Sequence, residues 1–250
     1  MKKAMWIISF IALAGTAIAL QFIPDQVPLH YDAAGNIDRW GSKYENLIFP
    51  VIILALSLHW TLFINYYEKK ALKAADDKGR ADAKTNAGVI GIVGAAMAAM
   101  FTIMQGFMIY GSYIEAISGA EKQAVDIGKV SVILLGIIFI VIGNIMTKTR
   151  INGTVGLRVS WSMYNANTWR KSNRFGAYAI MAAGAATIIM AVLLKNSFGA
   201  AMAAVGAVIL ASLVTLVYAH KVYLQEIESE KRGWQSDRTE YVHEDDHRGR

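Results

Sequence analysis

Several sets of side chains in this chain could do chemistry. His243-Glu-Asp-Asp-His247 has the H-E-x-x-H spacing. On a helix, that spacing sets two imidazoles on one face for zinc, with the Glu as general base. Here it lies in an acidic, polar segment with no apolar helix to form a dry cleft or orient the ligands. It reads as a solvated tail that matches by chance. His30, Asp32, Asp38 and Glu45 fall within one short segment. Imidazole plus carboxylates suit a divalent cation. The same residues also hydrogen-bond turn backbone, and their spacing fits no closed metal site. A structural role is the expectation. The chain has no cysteine, so disulfides, thiolate metal sites and Cys nucleophiles are excluded. No cofactor is expected.

His59, Gln105 and Asn144 are polar residues inside long apolar runs, with Asn65 near the end of one. Such groups usually face the interior of a helix bundle and are candidates for function. The plainer alternative is hydrogen bonding between helices. His59 lies near the middle of its run and could titrate near neutral pH. No chain of acidic residues crosses the apolar runs, which argues against a proton-coupled pump.

Residues 148–175 are the richest segment. They carry six Lys/Arg, two Trp, four Asn and two Gly, and no Asp or Glu. Gly153 and Gly156, after Asn152, permit tight turns. Arg158 presents a planar fork suited to a carboxylate or phosphate. Trp161 and Trp169 are eight apart and would share a face on a helix. Arg170, Lys171 and Arg174 follow. Two readings stay open: an interfacial helix anchored by Trp and by Arg on lipid phosphate, or a docking surface for a protein segment or lipid headgroup.

The elements that position these residues follow from hydropathy. The chain is 55% apolar and only 18% charged. About 20 apolar residues span a bilayer as a helix. Six runs qualify: 4–23, 47–67, 88–110, 127–147, 176–194 and 199–219. Lys129, near one end of a run, can snorkel. The first run, with Lys2-Lys3 ahead of it and small residues near Ala19, resembles a secretory signal. Its length favours an uncleaved first helix. The fold class is therefore all-α, a polytopic membrane protein with six transmembrane helices. Three regions are expected: an N-terminal helical hairpin over 1–70 with an extracellular loop at 24–46, a four-helix membrane region over 71–219, and a polar tail over 220–250. Of 25 Lys/Arg, 20 fall on the side of the termini, the 68–87 connection and the 148–175 loop. The positive-inside rule places that side in the cytoplasm. The net charge of +6 is then topology and attraction to anionic lipid, not a nucleic-acid signal. Segment 24–46 is turn-rich and reads as a compact non-helical loop, with Tyr31, Trp40 and Tyr44 suited to the interfacial belt. Gly88, Gly91, Gly94, Ala95 and Ala98 give the third helix a small face, for bundle packing or for a dimer.

The order of residues in the basic segment resembles the SdpI family of bacterial membrane proteins. Asn152, Gly156, Arg158, Trp161, Ser162, Asn165, Trp169, Arg174 and Gly176 follow its signature. Segment 24–46 resembles the small domain of unknown function that often precedes it, through Pro24, Pro28, His30, Tyr31, Gly35, Asp38, Trp40 and Lys43. The chain departs from the pattern at Val159-Ser160, at Asn173 where many members have His, and in lacking an acidic residue between the tryptophans. The resemblance implies a non-enzymatic membrane protein giving immunity to, or signalling in response to, an extracellular toxic peptide. It implies a cytoplasmic loop that docks a partner such as a transcriptional repressor. The rival expectation is a transporter or a protein handling anionic lipid. Oligomeric state does not follow from the sequence.

Overall fold

The computed structural model describes the chain except Ala33 and residues 152–154 and 249–250, with side chains described as far as Gln235. Asn152, Gly153 and the side chains of His243 and His247 lie outside the described residues. Among the described residues six helices are long and apolar enough to cross a membrane: α1 (Lys2–Ala19), α2 (Ile48–Leu72), α3 (Asp77–Ser118), α4 (Ile127–Met146), α5 (Ala166–Leu193) and α6 (Ser197–Arg248). Several helix ends have a local cause. Asp76 caps α3 by accepting the Gly79 N–H at 2.7 Å. Gly119, at φ 60°, ends it in the left-handed conformation that glycine adopts without a Cβ penalty. Asp126 caps α4 through the Lys129 N–H at 2.9 Å. Pro50 sits in the first turn of α2, where its missing N–H is not needed.

Two helices outrun the bilayer. The 42 residues of α3 extend about 63 Å, against about 30 Å of hydrocarbon. The connection at 68–87 is thus mostly ordered helix that projects as a stem. The α6 helix continues past the apolar run in the same way, so two helical stems flank the 148–175 segment.

Packing sorts the helices into two groups. α3 lies against α1 and α2, while α4, α5 and α6 pack together, with a slimmer α3–α4 contact joining the groups. In the first group the buried face of α1 is Met5, Ser9, Ala12 and Thr16, a single helical stripe. Ser9 and Ser57 of α2 share a buried hydrogen bond of 2.6 Å. Gly94 of α3 admits Trp60 and Met5, and Gly91 admits Met1 and Ile64, so both glycines serve internal packing. In the second group α4 and α5 touch backbone to backbone. A Cβ on Gly184 would lie 2.6 Å from the Gly136 carbonyl oxygen, and one on Gly136 2.8 Å from that of Gly184. Without a hydrophobic effect between helices in lipid, such close approach is a main source of cohesion.

Residues 24–46 are more regular than a loop. Strands β1 (Gln26–Tyr31) and β2 (Ile37–Ser42) pair antiparallel, Val27 opposite Gly41 and Pro28 opposite Trp40, with irregular register around His30. The α3–α4 connection adds to this hairpin: Ile37 N–H donates to Glu121 O and Gln123 N–H to Gly35 O, both at 2.9 Å. Val27, Leu20 and Ile23 form a buried cluster beneath it, which fixes the hairpin to the ends of α1 and α3.

Candidate functional site

The 148–175 segment folds around two buried side chains of α5. Trp169 is 2% exposed and donates its indole N–H to Thr149 O at 2.9 Å. Asn173, also buried, accepts the Leu157 N–H on Oδ1 at 2.8 Å and donates from Nδ2 to Trp169 O at 3.0 Å. Gly156 makes this possible. Its φ is 120°, and a Cβ there would collide with Asn173 Oδ1 and press on the Trp169 ring. Ser162, fully buried, donates to Leu157 O at 2.6 Å. The backbone of 155–159 is therefore pinned from below, and Arg158 stands on an outward turn, exposed.

Asn165 begins α5 with a capping box: its Oδ1 accepts the Asn167 and Thr168 N–H groups, and Thr168 Oγ1 accepts the Asn165 N–H. This satisfies donors that a helix start otherwise leaves open. The amide of Asn165 also reaches α6, donating to Glu226 Oε1 at 3.0 Å, while Asn167 donates to Glu226 Oε2 at 2.6 Å. One turn on, Tyr164 donates to Glu230 at 2.7 Å. That bond raises the Tyr164 hydroxyl pKa, because the neutral phenol is the donor. Arg150 pairs with Asp82 on the α3 stem at 2.8 Å. A segment without acids thus takes its carboxylates from the two flanking stems. Arg170, Lys171 and Arg174 are exposed along the start of α5.

The two tryptophans do not share a helical face. The chain turns at 160–163 and α5 starts only at Ala166. Trp169 is core, whereas half-buried Trp161 lies edge-on to His220 of α6, with ring centroids 5.2 Å apart. Tyr223 and Tyr164 extend the aromatic contact. Beneath Gly156 and Leu157 lies an apolar cavity of about 490 Å³, lined also by Trp60 of α2, Val93 of α3 and Leu216 of α6. It sits where the two helix groups meet.

At the hairpin end most of the candidate residues build the hairpin itself. His30 Nδ1 lies 2.6 Å from Asp38 Oδ1. Asp32 accepts from Ala34 N, Asn36 N and Asn36 Nδ2. These bonds, the Asn36 side chain first, hold its carboxyl below the ordinary range. Gly35, at φ 80°, completes that turn. Lys43 pairs with Asp25 at 3.0 Å and donates to Ile23 O at 3.2 Å. Pro28 is buried and Trp40 exposed. Glu45 pairs with Arg39 at 3.0 Å. Among the described residues no group of three or more His, Asp or Glu gathers as a metal site. Tyr31 donates to Glu115 Oε2 at 2.6 Å, and the Ala124 N–H fills Oε1 at 2.6 Å. Burial first, then the Glu115 carboxylate, raises the Tyr31 hydroxyl pKa.

Only one of the three intramembrane polar candidates enters the bundle. Gln105 is 2% exposed and donates to Thr16 Oγ1 and Asn46 O, each at 3.1 Å. His59 and Asn144 are exposed on outer faces, which corrects the expectation that they point inward. Near helix ends, Asn65 receives the Lys2 ammonium at 3.0 Å. Sequence reasoning missed Glu226, Glu230, Asp82 and Glu115. The usable signal was two glutamates four apart on a helix continuing beside an acid-free segment.

Residues 148–219 match the model of the SdpI/YfhL protein family. Residues 7–54 match DUF1648, a domain of unknown function. No curated protein and no solved structure matches the chain. The two matched regions fall on the two ends just described: the first carries the hairpin, the second the pinned Arg158 turn. The chain is a multi-pass protein of the bacterial cytoplasmic membrane, similar to the SdpI/YfhL family over residues 148–219 and to DUF1648 over residues 7–54.

Proposed function

We propose that this protein is a non-enzymatic immunity or signalling protein. Its hairpin faces outward toward an extracellular toxic peptide, and its 148–175 segment faces the cytoplasm and docks a partner such as a repressor. The orientation rests on the Lys/Arg asymmetry. The carrying observation for docking is the pinned turn at Gly156–Val159. Buried Trp169, Asn173 and Ser162 fix the backbone beneath an exposed Arg158. A membrane anchor needs only charge and aromatic area. An exposed Arg on a backbone held from below suits bidentate recognition of a carboxylate.

A second reading, lipid handling, draws on the apolar cavity beneath the same turn. One comparison separates the two. In cells challenged with the toxic peptide, Arg158→Lys keeps charge but loses the bidentate fork, and Trp161→Ala removes aromatic area without changing charge. Both variants should lose protection or signalling at normal membrane abundance, while Lys171→Ala should not. Equal losses in all three, following positive charge alone, would reduce the segment to an anchor. No difference between cells with and without the gene would overturn the immunity reading.

A further inference from the structure

The outward face of α2 is not a finished lipid surface. His59 lies 12 positions into the 25-residue helix, near the middle of the membrane. It is exposed, and among the described residues its ring contacts are with Trp60 and Phe63, at centroid distances of 5.7 and 4.9 Å. Neither ring accepts or donates a conventional hydrogen bond to the imidazole in the plane of its nitrogens. Hydrocarbon offers no partner either, and an unpaired polar group there is costly.

The residues around His59 show what would fit. Ile52, Ala55, His59, Leu62 and Tyr66 are all exposed and follow one another at intervals of three, four, three and four. That is the seam of a left-handed parallel helix pair, with a small residue near its centre. The seam ends at Tyr66, before Lys69 and Lys70 at the membrane boundary. A neutral imidazole carries one donor nitrogen and one acceptor nitrogen. It is therefore complementary to a second imidazole. Copies of one membrane protein share an orientation, so a two-fold axis along the membrane normal brings like positions together.

We propose that two copies of this chain pair through the exposed face of α2, with His59 hydrogen-bonded to its counterpart on the two-fold axis. Each copy supplies the donor or acceptor that the other lacks. The occupant is a second copy rather than a lipid because an acyl chain leaves both nitrogens unpaired. Internal packing already uses the small face of α3 at Gly91 and Gly94, and exposed Asn144 lies near the end of α4, within reach of the interface, so the exposed polar group deep in the membrane is on α2.

The absence of cysteine makes the test direct. Ala55→Cys and Leu62→Cys, each in the full chain in native membranes, should form disulfide-linked dimers on mild oxidation. Leu210→Cys, on the exposed face of α6, should cross-link at least several-fold less. Adding His59→Leu to Ala55→Cys should reduce cross-linking several-fold, while adding His59→Asn, which keeps a donor and an acceptor, should restore most of it. The proposal fails if Leu210→Cys cross-links as well as Ala55→Cys. It also fails if His59→Leu changes nothing, or if the cross-linked product has the mass of a different protein. All variants must show wild-type abundance in the membrane fraction, and a variant that does not is replaced by His59→Gln.

Discussion

Single residues hold each end of this molecule in shape, and two of them make sharp predictions. Gly156→Ala forces a Cβ onto Asn173 and the Trp169 ring at a positive φ. The expected cost is about 1–3 kcal/mol, read as a lower melting temperature in detergent and a shift in tryptophan emission. Gly106→Ala is the control, since its Cβ meets nothing within 4 Å. At the other end, Tyr31→Phe leaves the buried Glu115 carboxylate short of a donor, at about 1–3 kcal/mol. The pH dependence has a definite sign. Tyr31 has a raised pKa in the folded state. Its contribution is full below the ordinary tyrosine value of about 10 and is lost progressively as pH rises from there through the raised value. Proteolysis of the hairpin should therefore increase in wild type only above that pH, and Tyr31→Phe should lack this alkaline step. An alkaline step of the same size in Tyr31→Phe would contradict the assignment.

At the scale of elements, two helices continue past the membrane and serve the basic segment. The stems of α3 and α6 supply the carboxylates that the basic segment lacks: Asp82, Glu226 and Glu230. Two truncations separate the stem from the tail. Removing residues 236–250 keeps both glutamates, so folding and function should survive. Removing residues 225–250 strips the Glu226 clamp from Asn165 and Asn167 and should expose the start of α5 to protease. Glu226→Ala alone should cost about 1 kcal/mol, and a double-mutant cycle with Asn167→Ala should show coupling of similar size. If both truncations behave alike, the clamp has no role. The six spans were legible in the sequence because lipid demands long apolar runs. The family motif was legible because its residue types are rare in that order. The partnership of the stem with the motif was not, because 61 residues separate Asn165 from Glu226. The strands at 26–42 were hidden by their turn-rich composition. Their pairing depends on the α3–α4 connection, which lies some 80 residues on. The outward placement of His59 was equally invisible, since periodicity in an all-apolar helix does not say which face meets lipid.

For the whole molecule, the decisive quantity is its orientation, because it sets which end meets the outside. The segments joined at the loop end of the bundle hold most of the Lys and Arg. Ion pairs tie these segments to one another at that end: Lys2 with Glu68 at 2.6 Å, and Arg150 with Asp82 at 2.8 Å. A bilayer with an anionic cytoplasmic leaflet retains such a surface on the inside. The expected topology therefore puts the hairpin outside and the Arg158 turn inside. Impermeant thiol labelling of single-cysteine variants tests this, but the probe positions must be accessible. Ser172 is completely buried and would report inside whatever the topology. Ser160 is exposed on the turn, and Tyr44 is exposed beside the hairpin. Tyr44→Cys should label in intact cells, and Ser160→Cys only after the membrane is permeabilised. The reverse pattern would invert the molecule, and with it the roles proposed for both ends.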